Sequence, residues 1–189
     1  MANRLNNCFL INAPAGSGKT TEIKTMVQRC MVDNPRDNIL CITYTNRAAD
    51  ELSKDILAKN VFIGTIHSFL HFFLKPYFAH QDILKLYFEI YGALISERID
   101  NKDQKDNIAE SNARYIEKYG KLDYDTVRKN IKSLSYNESP FSSLYYGGLS
   151  HDDLISFSKA VFDRYPVIRA CLINRNRLYH FNKIIIEAI

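Results

Sequence analysis

A short glycine-rich segment between two apolar stretches constrains the fold of this chain more than any other feature. Residues 13–20 read A-P-A-G-S-G-K-T, which fits the pattern G-x-x-x-x-G-K-[ST] with alanine at the first glycine position. The apolar run 9–11 before it predicts a buried strand, and the helical spacing of apolar residues after it predicts a helix over 20–31. Strand, glycine-rich loop and helix in this order indicate a phosphate-binding loop rather than a chance turn.

The chemistry of this loop explains its residue types. Gly16 and Gly18 allow the backbone to bend so that consecutive N–H groups face one anion, and the helix that follows adds its positive end. Lys19 would place its ammonium on the β- and γ-phosphates of a nucleoside triphosphate, and Thr20 would offer its hydroxyl to Mg²⁺. We therefore predict a catalytic role for Lys19, a metal-binding role for Thr20, and a set of nucleotide-binding residues. That set is Ala15, Gly16, Ser17, Gly18, Lys19, Thr20 and Thr21.

The rest of the chain predicts an α/β fold with two parts. Strands at 39–42 and 61–63 alternate with helices at 46–59 and 68–74, which implies a parallel sheet with helical crossovers. The strands are apolar throughout, as expected when helices cover both faces. Leucines and isoleucines at helical spacing predict a helical subdomain inserted at 81–149. Helices at 152–164 and 167–179 and a strand at 183–186 then return to the first domain, which comprises 1–80 and 150–189.

A second motif, I-T-Y-T-N-R-A-A-D-E-L at 42–52, places polar residues where a strand ends and a helix begins. Ligands bind at this edge of open α/β sheets, so Thr45 and Asn46 are candidate donors to phosphate oxygens. The alternative is that Thr45 or Asn46 caps the helix. The sequence leaves both interpretations open.

A third motif, G-T-I-H-S-F at 64–69, also follows a strand and opens a helix. His67 is either a structural hydrogen-bonding group or part of a binding surface. Three phenylalanines, at 69, 72 and 73, are expected in the core rather than in a base-stacking platform. All three motifs should lie at one edge of the sheet, which predicts a triphosphate site next to a polar groove.

Composition sets broad limits on location and partners. A net charge of +4 permits a polyanionic partner without requiring one. The four cysteines form no C-x-x-C pair, which argues against a metal site or a disulfide framework, and Cys8 and Cys41 are expected to be buried. Neither a signal peptide nor a run of about 20 apolar residues is visible, so we expect a cytoplasmic protein without a membrane partner.

These motifs also resemble a known family. The segments A-x-A-G-S-G-K-T-T, I-T-Y-T-N-R-A-A-D-E-L and G-T-I-H-S-F resemble motifs I, Ia and Ib of UvrD/Rep-type superfamily 1 DNA helicases. The resemblance covers about 1–80 and 150–189. It implies a RecA-like P-loop NTPase that binds Mg²⁺ and ATP and moves on single-stranded DNA by closure of two motor domains. It further implies that Thr45, Asn46 and Arg47 contact the DNA backbone, and that Thr65 and His67 line the same path.

The last residues depart from this family. They read Ile186-Glu187-Ala188-Ile189, where motif II would supply D-E-x-Q-D. Either Glu187 stands at the aspartate that holds Mg²⁺ and Ala188 at the glutamate that positions water, or Glu187 is that glutamate. Glu187 is a candidate catalytic residue in both alignments, and neither alignment provides both carboxylates.

We therefore expect a truncated or domain-length piece that by itself hydrolyses little ATP and unwinds no DNA. A carboxyl-terminal motor domain or a partner subunit would complete it. The main alternative is a non-catalytic regulatory or remnant P-loop protein. A small P-loop kinase is disfavoured, because no arginine-bearing lid segment is visible.

Overall fold

A computed structural model describes residues 8–12, 17–56, 58–100, 106–137, 144–173 and 183–188. At 12, 106–108, 172–173 and 183–188 the description covers the backbone only. The strands are β1 Cys8–Asn12, β2 Ile39–Thr43, β3 Val61–Thr65, β4 Ser135–Tyr136, β5 Gly148–Leu149 and β6 Lys183–Ala188. The helices are α1 Lys19–Asp33, α2 Asn46–Asp55, α3 Ile66–Leu74, α4 Gln81–Asp100, α5 Asp106–Tyr119, α6 Tyr124–Asn130, α7 His151–Arg164 and α8 Pro166–Ile173.

The larger sheet has four parallel strands in the order β1-β6-β2-β3. The last strand of the chain therefore lies between the first and the second. Each strand predicted from an apolar run falls within an observed strand, and the mixed α/β prediction with a parallel sheet is confirmed. All four strands run in the same direction, so their carboxyl ends lie at one edge.

One face of this sheet packs against α1 and α2. Its core consists of residues that alternate along β2 together with apolar positions of both helices. These residues are Ile23, Val27, Ile39, Cys41, Leu52 and Ile56, with Phe9, Ile11, Val61 and Ile63 partly buried against them. An ion pair of 2.7 Å between Lys24 Nζ and Asp55 Oδ2 joins the two helices at the surface.

The opposite face packs against α3. Phe62 of β3 contacts Phe69 and Phe72 with ring centroids 5.7 and 5.1 Å apart, and Phe73 contacts Phe162 at 6.0 Å. Phe69 and Phe73 are buried as predicted, but Phe72 is 44% exposed. The core prediction for Phe72 is therefore wrong. Nearly half of its side chain meets solvent, although its ring contacts Phe62.

The prediction that helices cover both faces of every strand holds for β2 and is wrong for β1. All five residues of β2 are buried, so both faces of this strand are covered. β1 is an edge strand, and Leu10 is 67% exposed on the face opposite α1. Cys8 shares that face and is exposed, so its predicted burial is wrong, whereas Cys41 is buried as expected.

The second helix ends earlier than its apolar pattern suggests. The predicted helix spanned 46–59, whereas α2 ends at Asp55. Ile56 leaves the helix with φ −123° and ψ 89°, and its side chain is buried in the core beside α1. The helix ends before Ile56, and the extended backbone at Ile56 is the conformation in which its side chain is buried in this core. The predicted helix 167–179 is observed as α8 up to Ile173, and its remainder lies outside the described residues.

The chain divides into two compact units, Met1–Phe73 with Phe162–Ile189, and Leu74–Val161. The second unit contains α4, α5, α6, most of α7 and a small parallel pair of β4 and β5. Its core is rich in tyrosine, and the Tyr87 hydroxyl donates a hydrogen bond of 2.8 Å to the Leu144 carbonyl. Burial raises the pKa of Tyr87 far above its usual range. No helix among the described residues is long and apolar enough to cross a bilayer.

Candidate functional site

The described part of the phosphate loop is the junction between the loop and α1. Gly18 precedes the helix with φ +85°, and an added Cβ would meet no atom within 4 Å. Its carbonyl accepts the first helical hydrogen bond from the Glu22 N–H at 3.0 Å. Glycine has no side chain that could cap the helix, and no side-chain hydrogen bond caps α1 among the described residues. A helix start of this kind can bind an anion through its backbone N–H groups.

Three further residues of the predicted nucleotide set form the first turn of α1. Lys19 and Thr20 are half-buried, whereas Thr21 is exposed and its carbonyl accepts a hydrogen bond of 3.0 Å from Thr25 Oγ1. Ser17 is exposed just before the helix, and Ala15 and Gly16 lie outside the described residues. Lys19 and Thr20 therefore provide a cation and a hydroxyl at the start of a helix, and Gly18 before them leaves space for a ligand. This combination fits a triphosphate with Mg²⁺.

The register of β6 positions the backbone of Glu187 beside the end of β1. Glu187 pairs with Ile11 and Ala188 pairs with Asn12, the last residue of β1. Neighbouring strands are about 4.8 Å apart, so both backbone positions lie beside the point where the phosphate loop leaves the sheet. On the other side of β6, Ile186 pairs with Ile42 of β2.

The second motif forms the junction between β2 and α2. Thr43 is buried, and its hydroxyl donates a hydrogen bond of 3.1 Å to the Thr45 carbonyl. Thr45 Oγ1 accepts a hydrogen bond of 3.1 Å from the Ala48 N–H, so Thr45 is the N-cap of α2. The interpretation of Thr45 as a helix cap is therefore confirmed, and its contact with phosphate oxygens stays a prediction. Thr45 still has a hydroxyl proton to donate. Asn46 and Arg47 follow in the first turn and are exposed.

The third motif repeats this arrangement at the end of β3. The Thr65 hydroxyl accepts a hydrogen bond of 3.3 Å from the Ser68 N–H and lies 3.0 Å from the Ser68 hydroxyl. Thr65 is buried, which favours a role in shaping the turn over direct contact with a ligand. His67 is half-buried in the first turn of α3, and Ile66 beside it is exposed.

All the candidate residues that the structure describes lie at the same edge of the sheet, in two groups. The phosphate loop follows β1 and Glu187 is the fifth residue of β6, whereas Thr45, Asn46 and Arg47 follow β2. Thr65 and His67 follow β3, and Thr43 pairs with Thr65 in the register of β2 and β3. With β6 between β1 and β2, the strand ends of the two groups are roughly 5 to 15 Å apart.

Sequence reasoning missed two residues at this edge. Tyr44 leaves β2 with its side chain 64% exposed, an aromatic ring on the surface next to Thr45. Thr43 stabilises the turn through the hydrogen bond from its hydroxyl to the Thr45 carbonyl. The sequence did contain a signal for Tyr44. It is an aromatic residue with polar neighbours on both sides, between the apolar strand and the helix, and a position of this kind is often exposed.

The chain is similar to a known protein family. The family described as the UvrD/REP helicase N-terminal domain matches residues 1–180, nearly the whole chain. The match includes all three motifs and the second unit and ends before β6. No curated protein matches the chain. The chain belongs to the UvrD/REP helicase N-terminal domain family.

Proposed function

We propose that this chain is the ATP-binding domain of a UvrD-like, ATP-dependent DNA helicase or translocase that acts on single-stranded DNA. The observation that carries the proposal is the start of α1. Gly18 at φ +85° leads into a helix whose first residue is Lys19, at the carboxyl edge of a parallel sheet. The family match over 1–180 supports the same function.

The nucleotide site assigns separate roles to neighbouring residues. The N–H groups at the start of α1 and the Lys19 ammonium would bind the phosphates, and the Thr20 hydroxyl would bind Mg²⁺. When bound, Mg²⁺ neutralises charge on the β- and γ-phosphate oxygens. The Lys19 cation holds the same oxygens in place from the protein side.

The DNA path would follow the ends of β2 and β3. Arg47 offers a cation to backbone phosphates, and Asn46 offers amide hydrogens. The exposed ring of Tyr44 offers a surface on which a base can stack. Thr45 holds the turn at the start of α2 from which these side chains project, and Thr65 holds the corresponding turn at the start of α3, where His67 lies.

We further propose that the two compact units correspond to a RecA-like ATP-binding domain and an inserted helical subdomain. The parallel sheet and the phosphate loop belong to the first unit, and the tyrosine-rich helices to the second. The second unit, Leu74–Val161, is longer at both ends than the insertion 81–149 that the helical spacing of leucines and isoleucines predicts. As the family mechanism implies, movement along DNA would need a second motor domain in addition to this one.

The ATP site is tested by measuring Mg²⁺-ATP binding with a calorimeter for the chain and for Lys19→Ala. We expect Lys19→Ala to weaken binding at least tenfold, because it removes the cation on the phosphates. Lys24→Ala is the matched control, since it removes a lysine from the same helix that pairs with Asp55 instead. Equal affinity of all three proteins would contradict the proposed site.

The DNA path is tested by the affinity for single-stranded DNA at several salt concentrations. The double variant Asn46→Ala with Arg47→Ala should bind more weakly, with a shallower dependence of log affinity on log salt. Arg29→Ala is the control, because Arg29 is an exposed arginine of α1 on another part of the unit. If both variants bind like the parent chain, the DNA path lies elsewhere.

A second candidate function is a nucleotide-binding protein without turnover. It is favoured by one observation, the alanine at 188 in register with Asn12 where a carboxylate would be needed.

The variant Glu187→Gln separates the two alignments. If Glu187 helps to hold Mg²⁺, the substitution weakens Mg²⁺-dependent ATP binding. If Glu187 positions water, the substitution leaves Mg²⁺-dependent ATP binding unchanged. Little turnover by the parent chain is expected under both candidates, because the leading one needs a second motor domain. Robust turnover by the parent chain would contradict the second candidate.

A further inference from the structure

The second unit carries an aromatic surface that the proposed function does not use. It consists of Tyr119 at the end of α5, Tyr146 before β5, and Lys118 above both. The Lys118 ammonium lies 5.2 Å from the Tyr119 ring centroid and 5.4 Å from that of Tyr146. The two rings are 6.1 Å apart. Tyr119 is 36% exposed and Tyr146 is half-buried, so part of each ring meets solvent.

Buried neighbours hold this surface in place. Tyr115 lies one helical turn before Tyr119 and is fully buried. Its ring centroid is 4.6 Å from that of Tyr119 and 5.3 Å from that of Tyr146. Its hydroxyl accepts a hydrogen bond of 3.1 Å from Asn130 Nδ2. Gly120 then ends α5 with φ +77°, and its N–H donates to the Ile116 carbonyl at 2.7 Å. The rings are therefore positioned before any ligand arrives.

The sequence segment that contains Lys118 and Tyr119 is basic, although the whole of 81–149 is nearly neutral. The segment 118–132 contains five basic and two acidic residues. Asp123, one of the two acids, already has structural partners, because it caps α6 and forms an ion pair of 3.0 Å with Lys121. Lys118 contacts the two rings rather than a carboxylate in the described part of the chain. The net charge of this segment suits a polyanion.

We propose that this aromatic surface is a second contact for single-stranded nucleic acid, with bases stacking on Tyr119 and Tyr146 and a backbone phosphate beside Lys118. Exposed aromatic rings next to cations recognise single strands, because unpaired bases present their faces and duplexes do not. The surface lies outside the phosphate site and outside the ends of β2 and β3. Its function does not depend on ATP binding.

The first test uses Tyr119→Ala and Tyr119→Phe and a fluorescent oligothymidylate of roughly 16 nucleotides. Tyr119→Ala should weaken binding roughly fivefold or more, whereas Tyr119→Phe, which keeps the ring, should bind like the parent chain. Arg47→Ala is measured in parallel and in combination. Weakening by Arg47→Ala but not by Tyr119→Ala would overturn this proposal and leave the proposed DNA path intact. Weakening by Tyr119→Ala alone would support this proposal and contradict that path.

The second test reports on stacking directly. The chain contains no tryptophan, so Tyr119→Trp introduces a single fluorescent reporter. Addition of the oligothymidylate should quench its emission, and Lys118→Ala should raise the concentration needed for half of the quenching. The matched control is Ile155→Trp, which places a reporter at a position of α7 that is 44% exposed. Equal quenching of both reporters, or quenching by a duplex as strong as by the single strand, would overturn the proposal.

Discussion

Thr45 Oγ1 accepts a hydrogen bond of 3.1 Å from the backbone N–H of Ala48, so a residue of the proposed DNA path is also the N-cap of α2. A cap of this kind contributes about 1 kcal/mol to stability. A loss of DNA binding on substitution of Thr45 would therefore mix two effects, disturbance of the helix and removal of a contact. A pair of substitutions is needed to separate them.

Thr45→Ala should lower the free energy of unfolding of the first unit by about 1 kcal/mol, because the Ala48 N–H loses its side-chain acceptor. Thr45→Ser keeps the hydroxyl and should retain most of that stability. Urea unfolding followed by circular dichroism measures both. Equal stability of the alanine variant and the parent chain would show that the cap contributes nothing.

Val27→Ala should destabilise the first unit by roughly 2 kcal/mol, because Val27 is fully buried among α1, α2 and the sheet. Val32→Ala makes the same chemical change on the same helix at a side chain that is 79% exposed, and should change stability by less than about 0.5 kcal/mol. The difference between the two unfolding midpoints checks the packing of α1. Similar midpoints would mean that α1 does not cover the sheet as described.

Gly147→Ala should destabilise the second unit more than Gly120→Ala. Both glycines have positive φ, +73° and +77°, so both substitutions introduce strain of about 1 kcal/mol. At Gly147 an added Cβ would also lie 2.9 Å from Ile131 Cγ2 and 3.1 Å from the Ser133 carbonyl, whereas at Gly120 no atom lies within 4 Å. We expect at least about 1 kcal/mol of additional loss from this overlap. Equal losses in thermal unfolding would exclude a contribution from packing at Gly147.

The stability of the second unit should depend on pH through Asp123. Its carboxylate accepts hydrogen bonds from the Thr126 N–H and hydroxyl and pairs with Lys121, which lowers its pKa to about 2. A lowered pKa stabilises the fold above the ordinary aspartate value of about 4, and this contribution is lost as the pH falls towards 2.

The measurement compares the melting temperatures of the parent chain and Asp123→Ala between about pH 6 and pH 2. Their difference should be constant above about pH 5 and shrink below pH 4. Asp123→Asn can still cap the helix but does not titrate, so its difference from Asp123→Ala should not change over the same range. A constant difference between the parent chain and Asp123→Ala down to pH 2 would contradict the role of this carboxylate.

Local features of the fold were predictable because neighbouring residues determine them. The helix at α1 follows from apolar spacing and from a glycine that opens it, and α2 begins one residue after Thr45, a side chain that can cap. The end of α2 was not predictable in this way. It depends on Ile56, which is buried against residues of α1 and β2 that are remote in sequence.

The candidate site was predictable to the same extent. The residues that follow each strand could be recognised, but the capping role of Thr45 and the burial of Thr65 required coordinates. The exposure of Tyr44 likewise depends on how β2 ends between its neighbours. Aromatic residues were assigned to the core by average tendency, which was correct for Phe69 and Phe73 and wrong for Phe72.

The sequence by itself determined the phosphate loop, the identity of the strands and helices around it, and the membership of the family, because each of these depends on short segments of residues. Only the tertiary structure decided that 183–188 lies between 8–12 and 39–43, which sets Glu187 beside Ile11, and that Tyr119 and Tyr146 share a surface. Strand pairing and ring contacts of this kind join segments that are distant in the chain, and they are selected by the burial and hydrogen bonding of the whole fold.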